Sequence, residues 1–78
     1  MNPIHELDAV ALTGDLPGHG LKRGDVGAVV RVHGNGEGFE VEFVGYDGHT
    51  VARLTLERAQ VRPLRANDVP PARELTPA

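Results

Sequence analysis

The sequence predicts a small all-β domain in which five short strands curl into a barrel. Residues 39–43 alternate strictly between apolar and acidic side chains, which is the period of a half-buried strand. All ten glycines lie between Gly14 and Gly48, where tight turns are needed. A glycine-bounded turn at Gly24-Asp25 leads directly into a run rich in valine, which favours a strand.

The first strand is predicted over residues 8–13. Val10 and Leu12 share one face, and Ile4 and Leu7 are expected to cap the core beside them. Residues 14–24 are long for a hairpin connection. The leucines within it predict a loop that folds back over one end of the barrel.

Residues 25–32 form the second predicted strand. Simple alternation gives two faces, one with Val26, Ala28, Val30 and Val32 and the other with Gly27, Val29 and Arg31. A glycine inside a strand indicates a bulge or a close backbone approach, so one of these is expected at Gly27.

A hairpin is predicted at Asn35-Gly36, because both residues tolerate positive φ. The third strand then turns Phe39, Val41 and Phe43 inward. A second turn at Asp47-Gly48 leads to the fourth strand, residues 50–56, whose inward side chains are Ala52, Leu54 and Leu56.

The chain is expected to finish with a 3₁₀ turn at residues 57–60 and a last strand at residues 61–64. Pro63 confines that strand to an edge or an end. We therefore predict a barrel over residues 1–64 and a disordered, Pro-rich flexible tail over residues 65–78.

The strand register follows from keeping apolar partners on one side. Pairing Val32 with Phe39 places Arg31 opposite Glu40, and pairing Phe43 with Ala52 places Glu42 opposite Arg53. Such a bent meander closes through its first and last strands, which predicts an SH3-like barrel.

Composition limits the function classes. A chain of 78 residues buries only about 60% of its unfolded surface, which leaves little room for a deep catalytic cleft. The absence of cysteine excludes disulfides and thiolate chemistry. The N-terminal residues lack signal-peptide features and no apolar run reaches membrane-spanning length, so a cytoplasmic protein without a membrane partner is expected.

Catalysis and metal binding have little support in the sequence. There is no serine for a triad, and Asp25 and Asp47 are interpreted as turn residues whose carboxylates accept backbone N–H groups. The four histidines show no ligand spacing, and the turns that carry His33 and His49 project from opposite ends of a strand. The glycine-rich residues 34–38 precede a strand rather than the helix of a phosphate loop. We predict no enzyme, no cofactor and no metal site.

Binding of another protein is the expected function. The long first loop and the second hairpin turn offer the leading contact surface, with partner-binding residues His19, Leu21, Lys22, Arg23, Tyr46 and His49. Two alternatives stay open at this point. One is a KOW-like RNA- or ribosome-binding module using the adjacent Lys22 and Arg23, although the net charge of −3 disfavours nucleic acid. The other is an accessory subunit whose exposed edge strand adds to a larger partner.

The residues that carry these features also resemble a known family. The segments at residues 7–13, 16–17, 20–30, 40–43 and 60–64 together are similar to the bacterial family catalogued as domain of unknown function 4926, over about residues 4–64. The resemblance implies a compact SH3-like barrel without assigned chemistry. It also suggests an antitoxin-like or accessory partner of another bacterial protein.

Overall fold

The computed structural model describes residues 3–45 and 47–69. Five antiparallel strands form one sheet: β1 (Ala9–Leu12), β2 (Val26–His33), β3 (Gly38–Val44), β4 (Thr50–Glu57) and β5 (Val61–Pro63). Their order in the sheet is β4-β3-β2-β1-β5. The chain thus runs as a meander whose last strand returns to the first, which confirms the predicted all-β, SH3-like fold class.

The barrel is open rather than closed. Within the described residues, β4 and β5 are the two edges of the sheet and no ladder joins them. A 3₁₀ turn (Arg58–Gln60) crosses the gap between them. The Thr13 N–H and hydroxyl hold this turn by donating to the carbonyls of Gln60 and Ala59, at 3.0 and 2.7 Å. The sheet is therefore curled, with hydrogen bonds from loops taking the place of a fifth ladder between β4 and β5.

The core lies inside the curl and is built from aliphatic and phenyl side chains contributed by every strand. The predicted inward sets of β1 and β3 are buried, and Leu56 of β4 is buried with them. The full buried cluster is Ile4, Val10, Leu12, Leu21, Val29, Phe39, Val41, Phe43, Leu56 and Val61. With so few large side chains, each one contributes a substantial part of the domain's stability.

The predicted registers of both hairpins are confirmed. Val32 pairs with Phe39 and Arg31 with Glu40 in the β2–β3 ladder. Phe43 pairs with Ala52 and Glu42 with Arg53 in the β3–β4 ladder. The ion pair of Arg53 is nevertheless diagonal, because its guanidinium lies 3.1 Å from the carboxylate of Glu40.

Simple alternation is wrong for β2. Gly27 and Val29 face the core, whereas Ala28 is exposed and Val26 and Val30 are only half-buried. The register shifts between Val29 and Arg31, so an extra residue enters the strand there and Val32 returns to the core side. The bulge thus lies three residues beyond Gly27.

Gly27 itself is a point of close approach, as its place in the strand predicted. A Cβ at this position would lie 2.6 Å from Cγ1 of Val41 and 2.9 Å from Cε1 of Phe43. Both side chains are almost fully buried. Only a residue without a side chain fits at this position against β3.

The large apolar residues that flank β1 differ in burial. Leu16 and Leu21 form an isolated bridge that folds the first loop onto the core, where Leu21 is 1% exposed. Ile4 is also buried, as expected. Leu7 does not cap the core: it is 86% exposed and has a φ of 72°, an unusual conformation for a side chain of this size.

Residues 65–69, the described part of the predicted tail, form a turn against the end of the sheet. The Arg65 N–H donates to Asp68 at 2.6 Å, and Arg62 of β5 forms an ion pair with the same carboxylate at 2.9 Å. Residues 70–78 lie outside the described residues. Across the described ranges, no helix is long and apolar enough to cross a membrane.

Candidate interaction surface

The first loop presents three of the predicted contact residues to solvent, namely His19, Lys22 and Arg23. The fourth, Leu21, is not a surface residue, because the Leu16–Leu21 bridge turns it into the core. Its apolar character reflects packing rather than partner contact.

Two carboxylates fix the shape of this loop. Asp25, which is 4% exposed, accepts the N–H of Lys22 at 2.8 Å. Asp15 accepts the N–H of Arg23 at the same distance. The interpretation of Asp25 as a turn residue is confirmed, and the backbone beneath the two cationic side chains is held in one conformation.

The β3–β4 turn carries the other two predicted contacts. Tyr46 lies outside the described residues. His49 is exposed and donates its N–H to Asp47 at 3.0 Å, while its Nδ1 lies 3.1 Å from the second carboxylate oxygen. The backbone hydrogen bond first, and the imidazole contact second, hold the pKa of Asp47 below its ordinary value. Asp47 is thus a turn residue, as expected.

The ladders place the two predicted contact regions at one end of the sheet. Ala28 pairs with Glu42, so β2 begins at the end of the ladder where β3 finishes. Lys22 and Arg23 precede β2 there, and His49 follows β3 there. No group of three or more His, Cys, Asp or Glu side chains within the described ranges is placed to hold a metal ion.

A second surface, which sequence reasoning missed, lies on the outer side of β1 and β2. Ala9 pairs with Ala28, and Ala11 pairs with Val26, so these four side chains share the side facing away from the core. Val30, at the bulge, continues the row. We call these five residues the outer apolar face. All five side chains are apolar. Ala9 and Ala28 are nevertheless exposed to solvent, and Val26 and Val30 are half-buried.

Every exposed large hydrophobic residue of the described ranges borders this face. Leu7 adjoins it at Val30, because its N–H donates to the Val29 carbonyl at 2.7 Å. Val44, 42% exposed, lies two residues beyond Glu42, the β3 partner of Ala28. Val69, 86% exposed, lines a groove with Ala11 and Val26. Single exposed hydrophobic residues are common on protein surfaces, whereas a cluster of them is unusual.

That groove has a volume of about 100 Å³ and ends at a charged pair. Arg62 binds Asp68 through two guanidinium contacts, at 2.9 and 3.4 Å. The hydrogen bond from Arg62, together with the Arg65 N–H, holds the pKa of Asp68 below its ordinary value; the same contact raises the pKa of Arg62. The pair therefore stays ionised at neutral pH and borders the apolar face.

The outer side of β3 and β4 is charged by contrast. Glu40 and Arg53 form the diagonal ion pair there, and Glu42 stands next to Ala28. The curled sheet therefore has an apolar half and a charged half on its outer surface. The solvated face of an antiparallel sheet is commonly polar.

A sequence signal for this surface existed in the composition of two strands. Residues 9–12 are apolar at every position, and residues 26–30 are apolar or glycine at every position. Uninterrupted apolar strands indicate a sheet covered on both sides, whereas alternation predicts one solvated side. Alternation grouped Val26, Ala28 and Val30 with Val32 and so assigned them to the core side.

The fold and this surface define a small, open five-stranded β domain with an apolar outer face. The chain belongs to the family described as domain of unknown function (DUF4926), whose model matches residues 6–63. The match covers all five strands and both surfaces, and it ends before the Asp68 turn. No curated protein and no solved structure matches the chain.

Proposed function

We propose that this domain is a non-enzymatic protein-interaction module that binds an apolar segment of another protein on its outer apolar face. The observation that carries the proposal is the clustering of Leu7, Val44 and Val69 around a solvent-exposed alanine pair. Covering one large aliphatic side chain contributes about 1.5–3 kcal/mol before the costs of association. A partner that covers this face therefore gains affinity mainly from apolar contact.

The rim of the face favours a basic partner. Glu6 and Asp8 lie at the Leu7 end, and Glu42 stands beside Ala28. Arg53 and Arg62 are bound by Glu40 and Asp68, and Arg31, which follows Val30, pairs with Glu40 in the ladder. An apolar segment flanked by lysine or arginine would meet the carboxylates of Glu6, Asp8 and Glu42, which aids its orientation and association rate.

Co-purification with matched variants tests the proposal. The tagged full chain is expressed in its native host, and captured proteins are compared for wild type, Ala28→Arg and Ala59→Arg. Both alanines are exposed, but Ala59 lies on the 3₁₀ turn and outside the face. Capture that survives nuclease, fails for Ala28→Arg and persists for Ala59→Arg supports the proposal. Equal capture by both variants overturns it.

RNA binding is a separate outcome of the same experiment. Loss of every captured component on nuclease treatment, with binding that falls steeply with salt and is abolished by the double variant Lys22→Glu and Arg23→Glu, would establish the KOW-like alternative instead. An antitoxin-like or accessory role is the narrower form of our proposal. The identity of a captured protein decides between these two roles.

A further inference from the structure

The open sheet has two edges of very different character. β5 is three residues long and ends in Pro63, which protects an edge because proline cannot donate to a ladder. β4 is eight residues long, contains no proline, and pairs only with β3 among the described strands. A long strand edge of this kind is a template for a further strand.

The β4 edge also leaves part of the core uncovered. Ala52 and Leu54 point toward the core and pack against it, yet both are only half-buried. Their pairing partners on β3, Phe43 and Val41, are almost fully buried. A strand added alongside β4 would shield these two side chains from solvent.

The backbone of β4 is oriented to accept such a strand. The Glu57 N–H donates to the side chain of Gln60 at 2.8 Å, which places it on the side away from β3. Because backbone groups of a strand alternate in direction with a period of two residues, the N–H and C=O groups of Thr55 and Arg53 point the same way. They provide two donors and two acceptors along the edge.

We propose that β4 pairs antiparallel with β4 of a second copy of this chain, with Thr55 on the two-fold axis. Arg53 of each copy then lies opposite Glu57 of the other copy, and Leu54 lies opposite Leu56. Two cross-strand ion pairs and two apolar pairs result from one register, in which the Glu57 N–H exchanges the Gln60 side chain for the Arg53 carbonyl of the second copy. The two five-stranded sheets become one continuous sheet of an isologous dimer.

Charge selects this register over its neighbours. Moving the axis to Leu54 places Arg53 opposite Thr55, and moving it to Arg53 places two guanidinium groups opposite each other. Moving the axis to Leu56 places Glu57 opposite Thr55, and moving it to Glu57 places two glutamates opposite each other. Only the Thr55 axis pairs opposite charges, and Arg53 would then lie between Glu40 of its own chain and Glu57 of the second copy.

Thr55→Lys tests the proposal without disturbing the monomer. In the chain itself Thr55 pairs with Glu40, so a lysine there gains a carboxylate neighbour. In the dimer two lysines would face each other on the axis. We expect wild type to sediment as a dimer and Thr55→Lys to weaken dimerisation by about tenfold or more. Circular dichroism checks that the variant is folded.

A mixing experiment tests the register itself. Arg53→Glu and Glu57→Arg each place like charges opposite one another in a homodimer, so each variant alone should be largely monomeric. Mixed together, they restore both opposite-charge pairs and should form a heterodimer. A monomeric wild type would overturn the proposal. A dimer that survives Thr55→Lys would also overturn the proposal. A dimer lost only in Ala28→Arg would have the outer apolar face as its interface.

Discussion

Replacement of Gly27 by alanine examines the tightest contact in the core. A new Cβ would lie 2.6 Å from Cγ1 of Val41, whereas carbon atoms in contact are about 3.5–4.0 Å apart. The neighbours must therefore separate by about 1 Å. Val41 and Phe43 are nearly inaccessible to solvent, and the third neighbour, 3.0 Å away, is the backbone carbonyl of Glu42. None of these three groups has open space into which it can move.

The expected loss of stability follows from two opposing effects. Overpacking of a dense core costs about 1–3 kcal/mol, and this contact belongs near the upper end. Alanine in place of glycine within a strand regains about 0.5–1 kcal/mol. The net destabilisation is about 2 kcal/mol, and the thermal midpoint should fall by roughly 10 °C in a domain of this size.

Urea and thermal unfolding, followed by far-ultraviolet circular dichroism, measure this loss. Gly18→Ala is the matched control, since a Cβ at Gly18 meets nothing within 4 Å. The double variant Gly27→Ala and Val41→Ala should be less destabilised than the sum of its single changes, by about 1 kcal/mol. A Gly27→Ala protein as stable as wild type would refute the reasoning.

Three further predictions concern residues outside the core centre. Leu7→Gly should raise the free energy of unfolding by about 0.5–1 kcal/mol, because a φ of 72° is strained for leucine. The same variant should capture less of any partner that binds the outer apolar face. A lower free energy of unfolding would contradict this prediction. Asp25→Ala should lower the free energy of unfolding by about 2 kcal/mol through loss of the buried acceptor for the Lys22 N–H, and unchanged urea unfolding would exclude that role. The folded-state pKa of Asp68 is depressed, so the stabilisation from its pair with Arg62 should be present above about pH 4 and lost as pH falls through the folded value. Carboxyl NMR titration measures that pKa, and an ordinary value for Asp68 would contradict the pairing.

Most of the fold could be predicted from the sequence because local patterns determine it. Phe39, Val41 and Phe43 alternate with glutamates, and the Val32–Phe39 pairing fixes the first hairpin register. Glycines follow the ends of β1, β2 and β3, where turns begin. The Gly27 contact was also predictable, since glycine weakens a strand and is found there mainly at bulges or where another group approaches the backbone closely.

The side to which the β2 residues point could not be predicted, because the bulge between Val29 and Arg31 changes it. An apolar run such as Val29-Val30 does not show where the extra residue of a bulge is inserted. The residues after the bulge alternate in the same way with or without it. Likewise, Leu7 and Leu21 are the same residue type in similar loop contexts, yet one is exposed and the other buried. Their difference arises from tertiary packing, which a local pattern does not record.

The return of β5 to β1 has a consequence for how the chain folds. The β2–β3 and β3–β4 pairs join residues close in sequence, whereas the β1–β5 ladder joins Leu12 to Val61 and Val10 to Pro63. Closing so long a loop costs chain entropy before any contact compensates for it, so the meander should form first and β5 should dock last. Until then, β1 is paired with β2 alone, and Val10 and Leu12 lack their β5 partners. Folding speed therefore depends on the shortest strand in the molecule, and a slow docking step would leave the β1 edge open to association with other chains.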